Sequence, residues 1–194
     1  MNLQTILGLD PGPERTAALV AWFQGLFQDR SEAPVLVGGG AVELYTNGAY
    51  TTGDLDFVGF MTDTVTGRLQ AEGFRRQGRH WVHPEGRIFI ELPAQMFDRA
   101  VRVDSIAIGE WIIRVLSPED VLVDRLAAWV FWRSTLSGVN AYLIWNDRGG
   151  EMDIDWLERL ARMEGVEDAL AKLRGFADRE RSPKEVEEWA RVER

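Results

Sequence analysis

The strongest constraint on the fold lies between residues 35 and 58. An apolar run, Val35-Leu36-Val37, stops at Gly38-Gly39-Gly40, and a second run, Leu55 to Phe60, has Asp54 just before it and Asp56 within it. On a strand, residues two apart share a face, so both carboxylates point one way while Leu55 and Phe57 turn into a core. An unpaired carboxylate in an apolar segment is costly. A bound cation accounts for the pair, and Mg2+ is the hard cation that carboxylates hold while water and substrate phosphates complete its shell. For a bare Asp-x-Asp, a turn followed by a wet strand edge is the commoner account, since such pairs are ordinary turn chemistry.

The glycines add to the argument. A strand, then glycines, then a helix start lets backbone amides approach an anion and places partial positive charge beside it. By themselves the glycines are better explained by a tight turn with close packing, because glycine runs mark turns generally. A dinucleotide-binding fingerprint is excluded on spacing. Gly38 and Gly40 supply its first two glycines, but Glu43 occupies the third position. Its ribose-binding acid is also expected about 20 residues on, and the aspartates come too early for that.

The rest of the chain supplies the context. With 194 residues, 45% of them hydrophobic, it suits one compact domain or an α/β half with a helical appendage. It has no cysteine, which excludes disulfides and thiolate metal sites, and two histidines, His80 and His83, are too few for a histidine-rich centre. The N-terminal residues carry no basic start or long apolar stretch, so the expectation is a cytoplasmic protein with no membrane partner. A net charge of −9 argues against broad coating of nucleic acid and leaves room for a local basic groove.

Periodicity and turn chemistry place helices at 13–29, 41–46 and 64–71 and strands at 35–37, 55–60, 79–82 and 87–92, with a hairpin over 101–108 and 111–115. At Ser117-Pro118-Glu119-Asp120 the character changes: Ser is an N-cap, Pro fits the first helical position and acids fill the first turn. Helices follow at about 118–135, 138–146, 153–163, 165–178 and 183–192. The expected organisation is an α/β domain, 1–116, and a helical region, 117–194. Arg68, Arg75, Arg76, Arg79 and Arg87 cluster with both histidines, either as a phosphate-contacting edge or as a solvated face. Arg125, Trp129 and Arg133 share a helix face, and Trp129, Trp132, Trp145 and Trp156 are open to base stacking or, for most, core packing.

The motif Val37-Gly38-Gly39-Gly40, a short helix, then Asp54-Leu55-Asp56-Phe57 resembles the nucleotidyltransferase superfamily that includes DNA polymerase beta. Thr52-Gly53-Asp54 and the Ser117-Pro118 helix entry are similar to the stand-alone nucleotidyltransferases of abortive-infection toxin–antitoxin systems. Those relatives often carry a basic residue shortly before the Thr; here Ala49, Tyr50 and Thr51 stand there. The resemblance, over about residues 33 to 130, implies an α/β (α+β) fold with a small mixed sheet flanked by helices and a helical C-terminal half. It implies a third carboxylate from a neighbouring strand, for which Glu91 is the candidate and Asp98 and Asp104 are weaker substitutes. It also implies two Mg2+ ions held by Asp54, Asp56 and Glu91, and an NTP bound through Gly38, Gly39, Gly40, Thr52 and Arg125. The acceptor would be an RNA, protein or small-molecule hydroxyl, with an antitoxin as partner if the chain is a toxin. The alternative is a catalytically inactive binding or regulatory protein on the same fold.

Overall fold

The computed structural model describes residues 2–85 and 87–192. It resolves into two compact units, Met1–Leu116 and Ser117–Arg194. The first contains α1 (Leu3–Leu7), α2 (Pro13–Gln24), β1 (Val35–Val37), α3 (Gly38–Tyr45), β2 (Asp54–Val58), α4 (Asp63–Ala71), β3 (Arg75–Gln77), β4 (His80–His83), β5 (Ile88–Ala94), β6 (Val103–Ile108) and β7 (Trp111–Leu116). Its strands form one sheet in the order β3-β4-β5-β2-β1-β7-β6. The pairs β2/β5 and β1/β7 are parallel and the rest antiparallel, so the sheet is mixed.

Strand alternation separates the two faces of this sheet. Leu36, Leu55, Phe57, Ile90, Ile113 and Val115 share one face and are buried. Helix α2 packs there, with Phe23 4.6 Å from Phe57 between ring centroids. Buried Gln24 fastens the same helix to β7: its Nε2 donates to the carbonyl of Arg114 at 2.8 Å and its Oε1 accepts from the Arg114 amide at 2.9 Å. The opposite face carries Asp54, Asp56 and Glu91.

The second unit contains α5 (Pro118–Phe131), α6 (Thr135–Arg148), a 3-10 turn (Gly149–Glu151), α7 (Ile154–Met163), α8 (Glu167–Phe176) and α9 (Pro183–Val192). Ser117 caps α5 by accepting from the Asp120 amide, and its hydroxyl donates to buried Asp120 Oδ2 at 2.7 Å. Glu119, also buried, accepts from the Asp153 amide at 2.7 Å and so ties the start of α7 to α5. The acids of the first turn are therefore structural as well as favourable to the helix dipole. Ser182 and Glu185 make a reciprocal box at the start of α9, and the Ser182 amide and hydroxyl, with Arg179, lower the Glu185 carboxyl to about 2. Among the described residues no helix is long and apolar enough to cross a membrane.

Several elements differ from the sequence expectation for physical reasons. Helix α2 stops at Gln24 rather than 29, because Gly25 caps it. Helix α3 begins on Gly38 rather than on residue 41, so the glycines form its first turn. Strand β3 is three exposed polar residues with no apolar pattern, and it exists by pairing with β4. Helix α6 runs straight through Gly138, where a Cβ would lie 2.8 Å from the Trp129 ring.

Candidate functional site

The acids and the glycines meet at one end of the first unit. Val37 pairs with Asp56 across β1 and β2, which brings the start of α3 alongside the second aspartate. Gly38 has φ +61, a left-handed conformation that glycine adopts without strain. A Cβ there would lie 2.6 Å from Asp56 Oδ2, so the carboxylate lies directly over the Gly38 backbone. Gly39 faces the Thr52 hydroxyl and the Tyr50 phenol, at 3.0 and 3.3 Å from where its Cβ would be. Gly40 presses on Leu36 and Leu55. Each glycine thus admits a different neighbour, and Gly38 admits the acid.

Gly38→Ala should lower stability by about 1–2 kcal/mol, the cost of an L-residue in the left-handed region, before any displacement of Asp56 is counted. The urea unfolding midpoint measures it; an unchanged midpoint would contradict the close approach.

The turn before the acids is held from behind. Glu43, on α3, is 2% exposed. Its Oε1 accepts from the Thr16 hydroxyl at 3.0 Å and its Oε2 from the Thr52 amide at 3.1 Å. The Thr52 hydroxyl lies 3.3 Å from both the amide and the carbonyl of Asp54. Thr52 therefore fixes the entry of β2. Glu43 is a positioning residue that sequence reasoning passed over, although an acid between Val42 and Leu44 in an apolar helix was a signal.

Glu91 is brought next to Asp56, since the two are paired in register across β2 and β5 and share a face. Both of its oxygens have side-chain partners. Oε1 meets Arg79 Nε at 3.0 Å and Oε2 meets His80 Nε2 at 3.0 Å, with the Glu91 side chain 8% exposed. Among the described residues no group of three or more His, Cys, Asp or Glu is placed to hold a metal ion. Asp54 is exposed and Asp56 half-buried on the same face.

The remaining expectations distribute as follows. Arg125 lies on α5 in the second unit, its guanidinium paired with Asp124. Trp129 is fully buried, whereas Trp132 is 80% exposed. Trp156 donates to Asp120 Oδ2, and Arg174 lies over Trp145. His83 is buried against Phe74, while Arg75, Arg76 and Arg79 are exposed around the β3–β4 turn. A cavity of about 330 Å³ adjoins the 51–53 turn and is lined by Arg15, Thr16, Glu43, Thr52, Gly53 and Arg87 among others. A second, of about 470 Å³ between α2 and the β6–β7 turn, shares none of the expected site residues.

No family model matches the sequence, and no curated protein matches it. A solved structure does: the crystal structure of an antigenic nucleotidyltransferase-like protein from Paracoccidioides brasiliensis, with a TM-score of 0.55 at 13% identity. The match covers 84% of this chain and 94% of that one. At that identity it establishes the fold, which is nucleotidyltransferase-like, with the mixed sheet and flanking helices expected from the sequence.

Proposed function

We propose that the chain is an Mg2+-dependent nucleotidyltransferase, with Asp54 and Asp56 as its metal-holding pair. The observation that carries this is the Asp56 carboxylate lying over Gly38, where the acid pair and the first turn of α3 converge on a nucleotidyltransferase-like fold. In this reaction class an acceptor oxygen attacks the α-phosphorus of an NTP and pyrophosphate leaves. The residues fit a substrate-borne cation. Mg2+ is commonly held by one or two carboxylates with phosphate oxygens and water completing its shell, and Asp54 and Asp56 supply two on one face. When bound, Mg2+ would neutralise phosphate charge and orient the NTP. The chain's own contribution is placement: Glu43 and Thr52 set the entry of β2, and the glycines let the backbone of α3 approach the acids. The full three-carboxylate, two-ion arrangement requires Glu91 to exchange Arg79 and His80 for metal. The resemblance to abortive-infection proteins extends the proposal to a toxin with an antitoxin partner and an RNA, protein or small-molecule acceptor.

A second reading has its own observation. With Glu91 committed to Arg79 and His80, and Tyr50 where relatives carry a basic residue, the chain is a catalytically inactive binding or regulatory protein on this fold. Titration calorimetry with ATP, GTP, CTP and UTP, with and without Mg2+, tests the metal site common to both. The wild type should bind one of them with an Mg2+-dependent gain, and Asp56→Asn should weaken it about tenfold or more, one lost charge-assisted ligand. Equal binding by the two proteins would sink the site assignment. Product formation from the bound NTP separates enzyme from inactive relative.

A further inference from the structure

We infer that Arg79 grips the substrate's phosphates at this site and that Glu91 acts as the residue that positions Arg79 rather than as a third metal ligand. The inference rests on the nucleotidyltransferase reading for the identity of the substrate. Its own observations are the register and the ion pairs around Glu91.

Asp56 pairs with Glu91, and Glu91 pairs with His80, so the three occupy one row on one face of β2, β5 and β4. Neighbouring strands are about 4.8 Å apart, which sets the Glu91 anchor of Arg79 one strand from the acid pair. Both oxygens of Glu91 are engaged, each at 3.0 Å, by Arg79 Nε and His80 Nε2. Drawing this buried carboxylate onto a metal would break both contacts and strand the Arg79 guanidinium. Leaving it in place gives it a clear task. Arg79 meets Glu91 at Nε, and its side chain is 76% exposed. An exposed guanidinium anchored at Nε can offer its terminal amino groups as a pair of donors to a phosphate. The backbone beneath is also set: Arg79 follows Gly78, whose φ of +62 forms the tight turn between β3 and β4. Asp54, Asp56 and Glu91 all bring negative charge to a place where a polyphosphate is to bind. Ala49, Tyr50 and Thr51, just ahead of the acids, supply no cation, whereas the Glu91 contact holds Arg79 to the strand next to the acid pair.

The test uses inorganic tripolyphosphate with Mg2+ in titration calorimetry, and Mn2+ binding followed by electron paramagnetic resonance. Arg79→Gln should weaken tripolyphosphate about tenfold, the loss of one bidentate phosphate contact, while leaving Mn2+ affinity unchanged. Glu91→Gln should weaken tripolyphosphate to a similar degree and also spare Mn2+. The double variant should be no worse than Arg79→Gln alone, because Glu91 acts through Arg79. If Glu91 is instead a metal ligand, Arg79→Gln releases it and Mn2+ binds more tightly, while Glu91→Gln loses the ion. That result overturns the inference, as does tripolyphosphate binding indifferent to Arg79→Gln. Asp56→Asn separates the two levels: metal and tripolyphosphate binding that ignore Asp56→Asn refute the underlying reading, whatever Arg79 does. Absence of binding by the wild type refutes both. Thermal melts of each variant confirm that it is folded.

Discussion

Replacing Glu43 with alanine is expected to destabilise the first unit by about 3 kcal/mol, because hydrogen bonds to a charged group contribute about 1.5–3 kcal/mol each and two are lost. The side chain is 2% exposed and joins α2, α3 and the turn before β2 through the Thr16 hydroxyl and the Thr52 amide. The truncation leaves both donors facing a small void. Relief from desolvating the carboxylate offsets part of the loss, which keeps the sum below the full value of two such bonds. Thr16→Val removes one arm only and should cost about 1 kcal/mol, the ordinary value for a single hydrogen bond. Urea unfolding midpoints give both numbers. The Glu43 variant should also bind NTP more weakly, because Thr52 holds the Asp54 backbone and Glu43 holds Thr52. A loss of stability below about 1 kcal/mol, within the range of ordinary surface substitutions, would show that the turn is held by something else.

Glu43 also shows where sequence reasoning reaches and where it stops. What is local was legible: the apolar run ended by glycines, the alternation that turns Leu55 and Phe57 inward, the Ser117-Pro118 entry into α5. Each of these is set by neighbours a few residues away. What depends on register was not. Glu91 could be placed on an apolar strand, but its partners come from β4 and the β3–β4 turn, and only the pairing of His80 with Glu91 brings them together. Strand β3 was invisible for the same reason, since Arg75-Arg76-Gln77 has no pattern and is a strand only beside β4. The two parallel pairings, which set Asp56 beside Glu91 and β1 beside β7, follow from crossovers that no short window encodes. The glycines were partly legible. Their run marked a turn, but that Gly38 makes room for a carboxylate and Gly40 for two leucines is a matter of packing. Tyr50 is a further case: its phenol is placed against Gly39, a contact that the residue type alone does not announce.

The helical unit should respond most strongly to Trp129→Ala, with a loss of about 4 kcal/mol, in the range for removing a large buried aromatic side chain. Trp129 is fully buried, 4.5 Å from Trp189 between ring centroids, and Trp189 stacks in turn on Phe176 at 4.6 Å. Its Nε1 donates to the carbonyl of Ala190 at 2.7 Å, so one side chain on α5 secures α9 by packing and by a hydrogen bond. The fit is tight enough that α6 carries glycine at position 138, where a Cβ would meet the indole ring at 2.8 Å and the Ala190 Cβ at 2.9 Å. Alanine at 129 would therefore leave a cavity bounded by three helices that cannot close without moving the α6 and α9 backbones, which is the condition under which the cavity cost is greatest. Trp129→Phe separates the contributions: it keeps most of the ring and removes the donor, and should cost about 1–2 kcal/mol, the value of a hydrogen bond whose buried carbonyl is left alone. Amide hydrogen exchange along α5, α6 and α9, read against urea, measures both variants within this unit. An alanine variant less than about 2 kcal/mol below the wild type would mean that the site collapses freely, contrary to the close approach that Gly138 provides.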